Sequence, residues 1–164
     1  MTPVYLALGS NVGDPAGHIQ QALNLLAAVL NDMRQAPTYI SKAVGYTDQP
    51  DFLNTAVGGR TDSGPEDLLL AIKKIERQVG RRATFHWGPR EIDIDIILYG
   101  DRVLDSQRLV IPHPSFRERD FVLMPLNDLD PSLVDPVSGQ TVRQLLDKIG
   151  TPNRSIIKRI DEKA

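Results

Sequence analysis

The 164 residues contain no cysteine, which excludes disulfides, thiolate metal sites and a cysteine nucleophile. Aromatic residues make up only 5%, with a single tryptophan, too few for a row of platforms on which nucleic-acid bases could stack. Basic excess is missing as well: the formal net charge is -2, whereas a dedicated nucleic-acid binder is usually clearly basic. No apolar run approaches the roughly 20 residues that span a bilayer. Met1 to Ser10 lacks the basic-then-apolar order of a secretory signal. These absences predict a cytoplasmic protein with neither membrane nor nucleic-acid partners, and a monomer is expected.

What remains is 41% hydrophobic, enough for one core in a chain of this length. No repeat, low-complexity tract or linker divides it, so residues 1–164 are expected to form a single domain. Val4-Tyr5-Leu6-Ala7-Leu8 reads as a buried strand, closed by the turn formers Gly9 to Pro15. That loop lacks the Gly-Lys-Ser/Thr ending of a Walker A motif and the third glycine of a dinucleotide fingerprint, so a structural turn is the better reading. A helix follows with Ile19, Ala22, Leu23, Leu26 and Leu30 on one face.

One strand is expected between Met33 and Val44, and another over Phe52 to Val57. Asn54 interrupts the second. A buried amide needs partners, so it either ties down a neighbouring loop or reads a polar ligand. Ser63-Gly64-Pro65-Glu66 has the form of a capping box with Ser63 as N-cap. The helix it opens carries Leu68, Leu69, Ile72, Ile75 and Val79 and stops at Gly80. Glu76 sits at the margin of that stripe, near the end where the helix dipole disfavours an acid. It is either a solvated residue or an acceptor for a ligand beyond the helix.

The most informative stretch is Glu91-Ile92-Asp93-Ile94-Asp95-Ile96-Ile97-Leu98-Tyr99. Its alternation is that of a strand with one buried face, with Asp93 and Asp95 about 7 Å apart on the other. Such a pair can be a merely wet face. It can also hold a hard cation such as Mg²⁺, which takes oxygen ligands and keeps substrate phosphates in its shell. Arg81 and Arg82 lie on the preceding loop, and guanidinium pairs well with phosphate oxygens. Trp87 is either core or a flat wall for an aromatic ring. Short strands at Val103-Leu104 and Leu109-Ile111, a helical turn over Ser115 to Arg119, a helix over Thr141 to Ile149 and a last strand in Ser155 to Ile160 complete the chain. The order over Val4 to Tyr99 is the βαββαβ pattern of a ferredoxin-like α+β sandwich, with helices on one face of a mostly antiparallel sheet and C-terminal additions.

Four segments in order, Leu8-Gly9-Ser10-Asn11, Asp48 to Asn54, Trp87 to Asp95 and Ile111-Pro112-His113-Pro114, make the chain resemble the 6-hydroxymethyl-7,8-dihydropterin pyrophosphokinases of folate biosynthesis. The resemblance implies transfer of a diphosphate from ATP, the co-substrate, to the hydroxymethyl group of 6-hydroxymethyl-7,8-dihydropterin, leaving AMP. It implies two Mg²⁺ ions on Asp93 and Asp95, with Arg81, Arg82 and Arg90 joining them in catalysis. The pterin is expected between Trp87 and Phe121, in a pocket with Ser41, Val44, Phe52, Asn54 and Asp93. ATP is expected against Glu76, Arg81, Arg82, Trp87, Arg90, Ile96, Arg108, His113 and Arg119. Loops over residues 80–87 and 43–50 have the composition of lids. Lys42 stands where the family pattern has proline, and Pro114 where tyrosine is frequent. A ferredoxin-like module that binds nucleotide without chemistry is the alternative; it would need neither the paired aspartates nor the arginines around them.

Overall fold

The computed structural model describes residues 1–82, 84, 85, 88–150 and 153–160. In chain order the elements are β1 (Thr2–Ser10), α1 (Pro15–Leu26), β2 (Asn31–Gln35), β3 (Thr38–Ser41), β4 (Phe52–Thr61), α2 (Pro65–Val79), β5 (Asp93–Tyr99), β6 (Leu104–Asp105), β7 (Val110–Ile111), a 3₁₀ turn (Phe116–Glu118), α3 (Asp120–Leu129), α4 (Val142–Lys148) and β8 (Ile156–Ile160). The main sheet runs β5-β1-β4-β3-β8, with β2 also on β4, and the pairings are antiparallel. With β2 and β3 read as one broken strand, this is the ferredoxin-like arrangement, extended by β8.

The single strand expected between Met33 and Val44 is two. Pro37 lacks the N–H a continuous ladder needs, and β2 carries a register shift after Asn31 with Asp32 at φ 53°. The capping box at Ser63 does not form: Gly64 is the N-cap and Pro65 the first helical residue. The Ser63 carbonyl instead accepts the Tyr99 hydroxyl, joining the start of α2 to the end of β5.

Helices cover both faces of the sheet, not one. On the first face α1 and α2 pack Ile19, Leu23, Leu26, Leu68, Ile72 and Ile75 onto Val4, Leu6, Leu8, Ile94 and Ile96. Each such fully buried aliphatic side chain contributes about 1.5–3 kcal/mol. On the second face Val122, Leu123 and Leu126 of α3 and Val142, Leu145 and Leu146 of α4 pack with Phe116 against Tyr5, Ala7, Ala56 and Ile97. The apolar run after Arg119 is therefore helix α3, which accommodates Pro125 in its interior. The second layer starts only at Asp120, so it leaves open the end of this face where β1 finishes and β5 begins.

Candidate active site

At that open end the register lines up Asn54 of β4, Gly9 of β1 and Asp93 of β5 in one row. One row further on, Ala56, Ala7 and Asp95 repeat the pattern. Opposed residues of antiparallel strands point to the same face, so both aspartates look across a strand that offers only a hydrogen and a methyl. A Cβ on Gly9 would meet the Asn54 side-chain oxygen at 3.0 Å.

Two guanidinium groups contact Asp93. Arg90 Nη1 lies 3.0 Å from Oδ2 and Arg81 Nη1 3.3 Å from Oδ1. Lys73 does not reach Asp93 but pairs at 3.1 Å with Glu76, which Arg81 also contacts at 3.4 Å. Gly80, at φ 111°, is the left-handed residue that ends α2 and turns the chain so that Arg81 comes back over the helix end. Arg90 is held from behind. Its backbone N–H donates to Asn11 Oδ1 at 2.9 Å, and its carbonyl accepts from the Asn11 N–H at 3.1 Å. The Asn11 amide also donates to Gln49 Oε1 and the Pro50 carbonyl. The turn after β1 is thus a latch on both flanking loops, which is its structural reading. Arg90 Nε is buried and has no hydrogen-bond partner among the described residues.

Glu76 is buried, so it is not a solvated residue. Its Oε2 accepts the backbone N–H of Ile94 at 2.8 Å, between the two aspartates.

Lys73, Arg81, Arg90 and the two aspartates border a cavity of about 300 Å³. Of the residues that the family resemblance implies for the substrates and metal, Ser41, Val44, Phe52, Asn54, Arg81, Arg90, Asp93, Asp95, His113, Arg119 and Phe121 line it. At one end Asn54 Nδ2 donates to Ser41 Oγ at 2.6 Å, which leaves the Asn54 oxygen facing the strand row. The Arg119 guanidinium lies 5.8 Å from the centre of the Phe121 ring. At the other end His113 Nδ1 accepts the Ser115 N–H at 3.1 Å, and Nε2 stands 3.8 Å from Asp95 Oδ2. Burial, then the positive charge of Arg119, pulls the imidazole down to about 4, so near neutral pH it is uncharged, with its proton on Nε2. Burial, then the charge of Asp93, pushes the Asp95 carboxyl up to about 7.

Four expected residues do not line the cavity. Glu76 lies behind it. Ile96 belongs to the core on the opposite face. Arg82 is exposed, with its backbone N–H donating to Glu91 at 3.0 Å, and Arg108 is exposed between β6 and β7. Trp87 falls outside the described residues. The cavity adds Lys73, Ala7, Gly9, Gly88 and Val122, and Lys42 with them. The sequence signal for Lys73 was its place three residues before Glu76, one helical turn away on the same face.

Among the described residues no three or more His, Asp or Glu side chains converge as metal ligands. The donor set is the two aspartates alone. All-oxygen donors suit a hard cation that completes its shell with water and phosphate. Burial and then the charge of Asp93 disfavour the Asp95 carboxylate, and a divalent ion held by both aspartates would favour it. The residues therefore fit Mg²⁺.

A family model described as 7,8-dihydro-6-hydroxymethylpterin-pyrophosphokinase (HPPK) matches residues 5–131. A 2-amino-4-hydroxy-6-hydroxymethyldihydropteridine pyrophosphokinase of Aquifex aeolicus is 43% identical over 144 residues, covering 88% of this chain and 90% of the relative. One of the same description from Pseudomonas aeruginosa is 43% identical over 145 residues, covering 87% and 89%. Among solved structures, a Plasmodium falciparum HPPK-DHPS chain superposes with a TM-score of 0.72 at 19% identity, over 90% of this chain and 43% of that one, a likeness of fold. The model spans β1 to α3 with every cavity-lining residue named above, and the chain belongs to the 7,8-dihydro-6-hydroxymethylpterin-pyrophosphokinase family.

Proposed function

We propose that the chain transfers a diphosphate from ATP to the hydroxymethyl group of 6-hydroxymethyl-7,8-dihydropterin in folate biosynthesis, and that the cavity between β4, β5 and the start of α3 is where it does so. One observation carries the assignment of the site: paired same-face carboxylates ringed by Arg81, Arg90 and Arg119 share a cavity with a buried amide and two aromatic rings. In the reaction a bond forms between the pterin oxygen and the β-phosphorus, and the bond from that phosphorus to the α,β-bridging oxygen breaks, releasing AMP. Such a transfer asks the protein mainly for alignment and for stabilisation of charge.

Asn54 reads the amide-like edge of the pterin, held in its orientation by Ser41. Phe52, Phe121 and Val44 supply its apolar walls, with Trp87 as the opposing ring. Arg81, Arg90 and Arg119, with Arg82 from its loop, bind phosphate oxygens, and Arg90 Nε, without a partner among the described residues, joins them. Neutral His113 offers an N–H to the nucleotide. Glu76 and the backbone near Ile96 hold the strand that the nucleotide lies against, and Arg108 reaches its outer side. Asp93 and Asp95 would hold two Mg²⁺ ions, which when bound neutralise the triphosphate and acidify the hydroxyl. The loops carrying Tyr46 and Phe85 close over the substrates; their rings already meet edge to face at 5.0 Å.

No described helix is long and apolar enough to cross a membrane. We place the chain in the cytoplasm as a monomer, with residues 1–164 acting as one domain. The nucleotide-binding module without chemistry is not favoured. The test is a product assay with protein, Mg²⁺, ATP and the pterin. AMP together with a diphosphorylated pterin is expected; ADP, or no turnover despite ATP binding, would overturn the reading.

A further inference from the structure

Ser155, at the entry to β8, holds two walls of the cavity at once. Its backbone N–H and its Oγ donate to the Asp120 carboxylate at 2.8 and 2.7 Å, and the Ile156 N–H adds a third donor at 2.9 Å. Its carbonyl accepts the Lys42 N–H at 2.9 Å. Asp120 is only 3% exposed and is the first residue of α3. A carboxylate there would ordinarily turn to the free N–H groups of its own helix. This one turns outward to β8. Its neighbours on either side, Arg119 and Phe121, line the cavity, as do Lys42 and the preceding Ser41 on the facing wall. Arg154 fixes the approach to β8 by donating to the Ile149 carbonyl at 3.2 Å, just past α4.

A buried carboxylate with three donors is a stiff joint, and charged acceptors make the stronger hydrogen bonds. From this arrangement we infer that Asp120 and Ser155 are positioning residues: through them β8, which lies outside the segment matched by the family model, sets Arg119 and Phe121 against Ser41 and so fixes the width of the pterin end. The inference rests on the assignment of that end to the pterin. Misplacing a substrate wall by an ångström can cost far more than the bond that held it, so the clamp should show in affinity for one substrate and not in stability alone.

The experiment uses the full chain as wild type, Asp120→Ala, Ser155→Ala and Ser155→Thr. It measures equilibrium binding of a non-hydrolysable ATP analogue with Mg²⁺, then of the pterin on that complex, well below each thermal midpoint. Asp120→Ala should bind the pterin at least about tenfold more weakly and Ser155→Ala a few-fold more weakly, while Ser155→Thr, which keeps the hydroxyl, stays within about twofold of wild type. The ATP analogue alone should weaken clearly less than the pterin, because the clamp reaches only its Arg119 contact while Arg81, Arg90 and His113 come from elements that the clamp does not touch. A folded Asp120→Ala that binds pterin like wild type overturns the inference. So does a loss shared equally by both ligands, which marks a staple for stability only. If Asp120→Ala does not fold, the Ser155→Ala and Ser155→Thr pair decides by the same criteria. Wild type that binds the ATP analogue but no pterin overturns the site assignment, and the clamp with it.

Discussion

Glu76 on α2 accepts the backbone N–H of Ile94 on β5, so a helix carboxylate fixes the peptide between the two aspartates. Removing it leaves that N–H buried without a partner, frees Lys73 and leaves Arg81 with Asp93 alone. Glu76→Ala should cost about 2–4 kcal/mol of stability, and Glu76→Gln clearly less because an amide oxygen can still accept. Urea unfolding checks this. A fully stable Glu76→Ala with altered ATP binding would make the residue a ligand contact and not a brace.

Asp95→Ala should abolish AMP formation, by at least about two to three orders of magnitude, since it removes half of the hard-cation donor set. The same change should leave the fold intact, and even raise the thermal midpoint slightly by removing a buried carboxyl and its repulsion from Asp93. Retained Mg²⁺-dependent turnover would remove Asp95 from the site.

Lys42→Pro restores the residue of the family pattern but deletes the N–H that donates to Ser155. A loss of about 1 kcal/mol is expected, with faster amide exchange in β8. If proline is neutral in both respects, the Lys42 bond does not anchor that strand.

Asp135 is buried in the loop before α4. Burial alone would raise its carboxyl, but donors from Arg117, Ser138 and the Val137 N–H outweigh that and hold it down at about 2. A depressed carboxyl gives stability that is fully present above its unfolded value of about 3.9 and fades as pH falls through about 2. The stability gap between wild type and Asp135→Asn should therefore be constant above about pH 5 and shrink steadily below about pH 4. A gap that does not change with pH would show that the carboxylate charge contributes nothing.

Hydrogen exchange tests the proposed loop closure. Peptides covering Val44 to Gln49 and Arg81 to Arg82 should gain protection when ATP analogue and pterin are both bound. Unchanged exchange in both would leave the Tyr46–Phe85 contact as surface packing only.

The strands and helices that read clearly from sequence are those with one buried face. The Ile–Asp alternation of β5 and the 3–4 spacing of Leu68, Ile72 and Ile75 follow directly from the period of each element. α3 was hidden because Pro125 breaks the helical signal and its apolar run has little periodicity. β2 was hidden because Asn31–Gln35 is mostly exposed and lacks alternation. In the site, the residues carried by short motifs were legible and came together. The burial of Glu76 was not, because its partner lies 18 residues away on another element. Asp120 gave no signal for the same reason: a helix-start acid looks complete until β8 is placed beside it.

The row of Asn54, Gly9 and Asp93 makes the sheet a ruler. Two steps between hydrogen-bonded strands separate the amide from the carboxylate by about 10 Å, a length set by the backbone ladder and not by side-chain reach. Loops can close and side chains can re-aim, but this interval cannot stretch. On the proposed reading, it measures the span from the recognised edge of the pterin to the oxygen that attacks. Substitutions along the walls can therefore change which ring is held and how tightly, while the distance at which phosphate meets it stays graduated in strand spacings. A slip of one residue in β5 would turn both carboxylates into the core and erase the scale altogether.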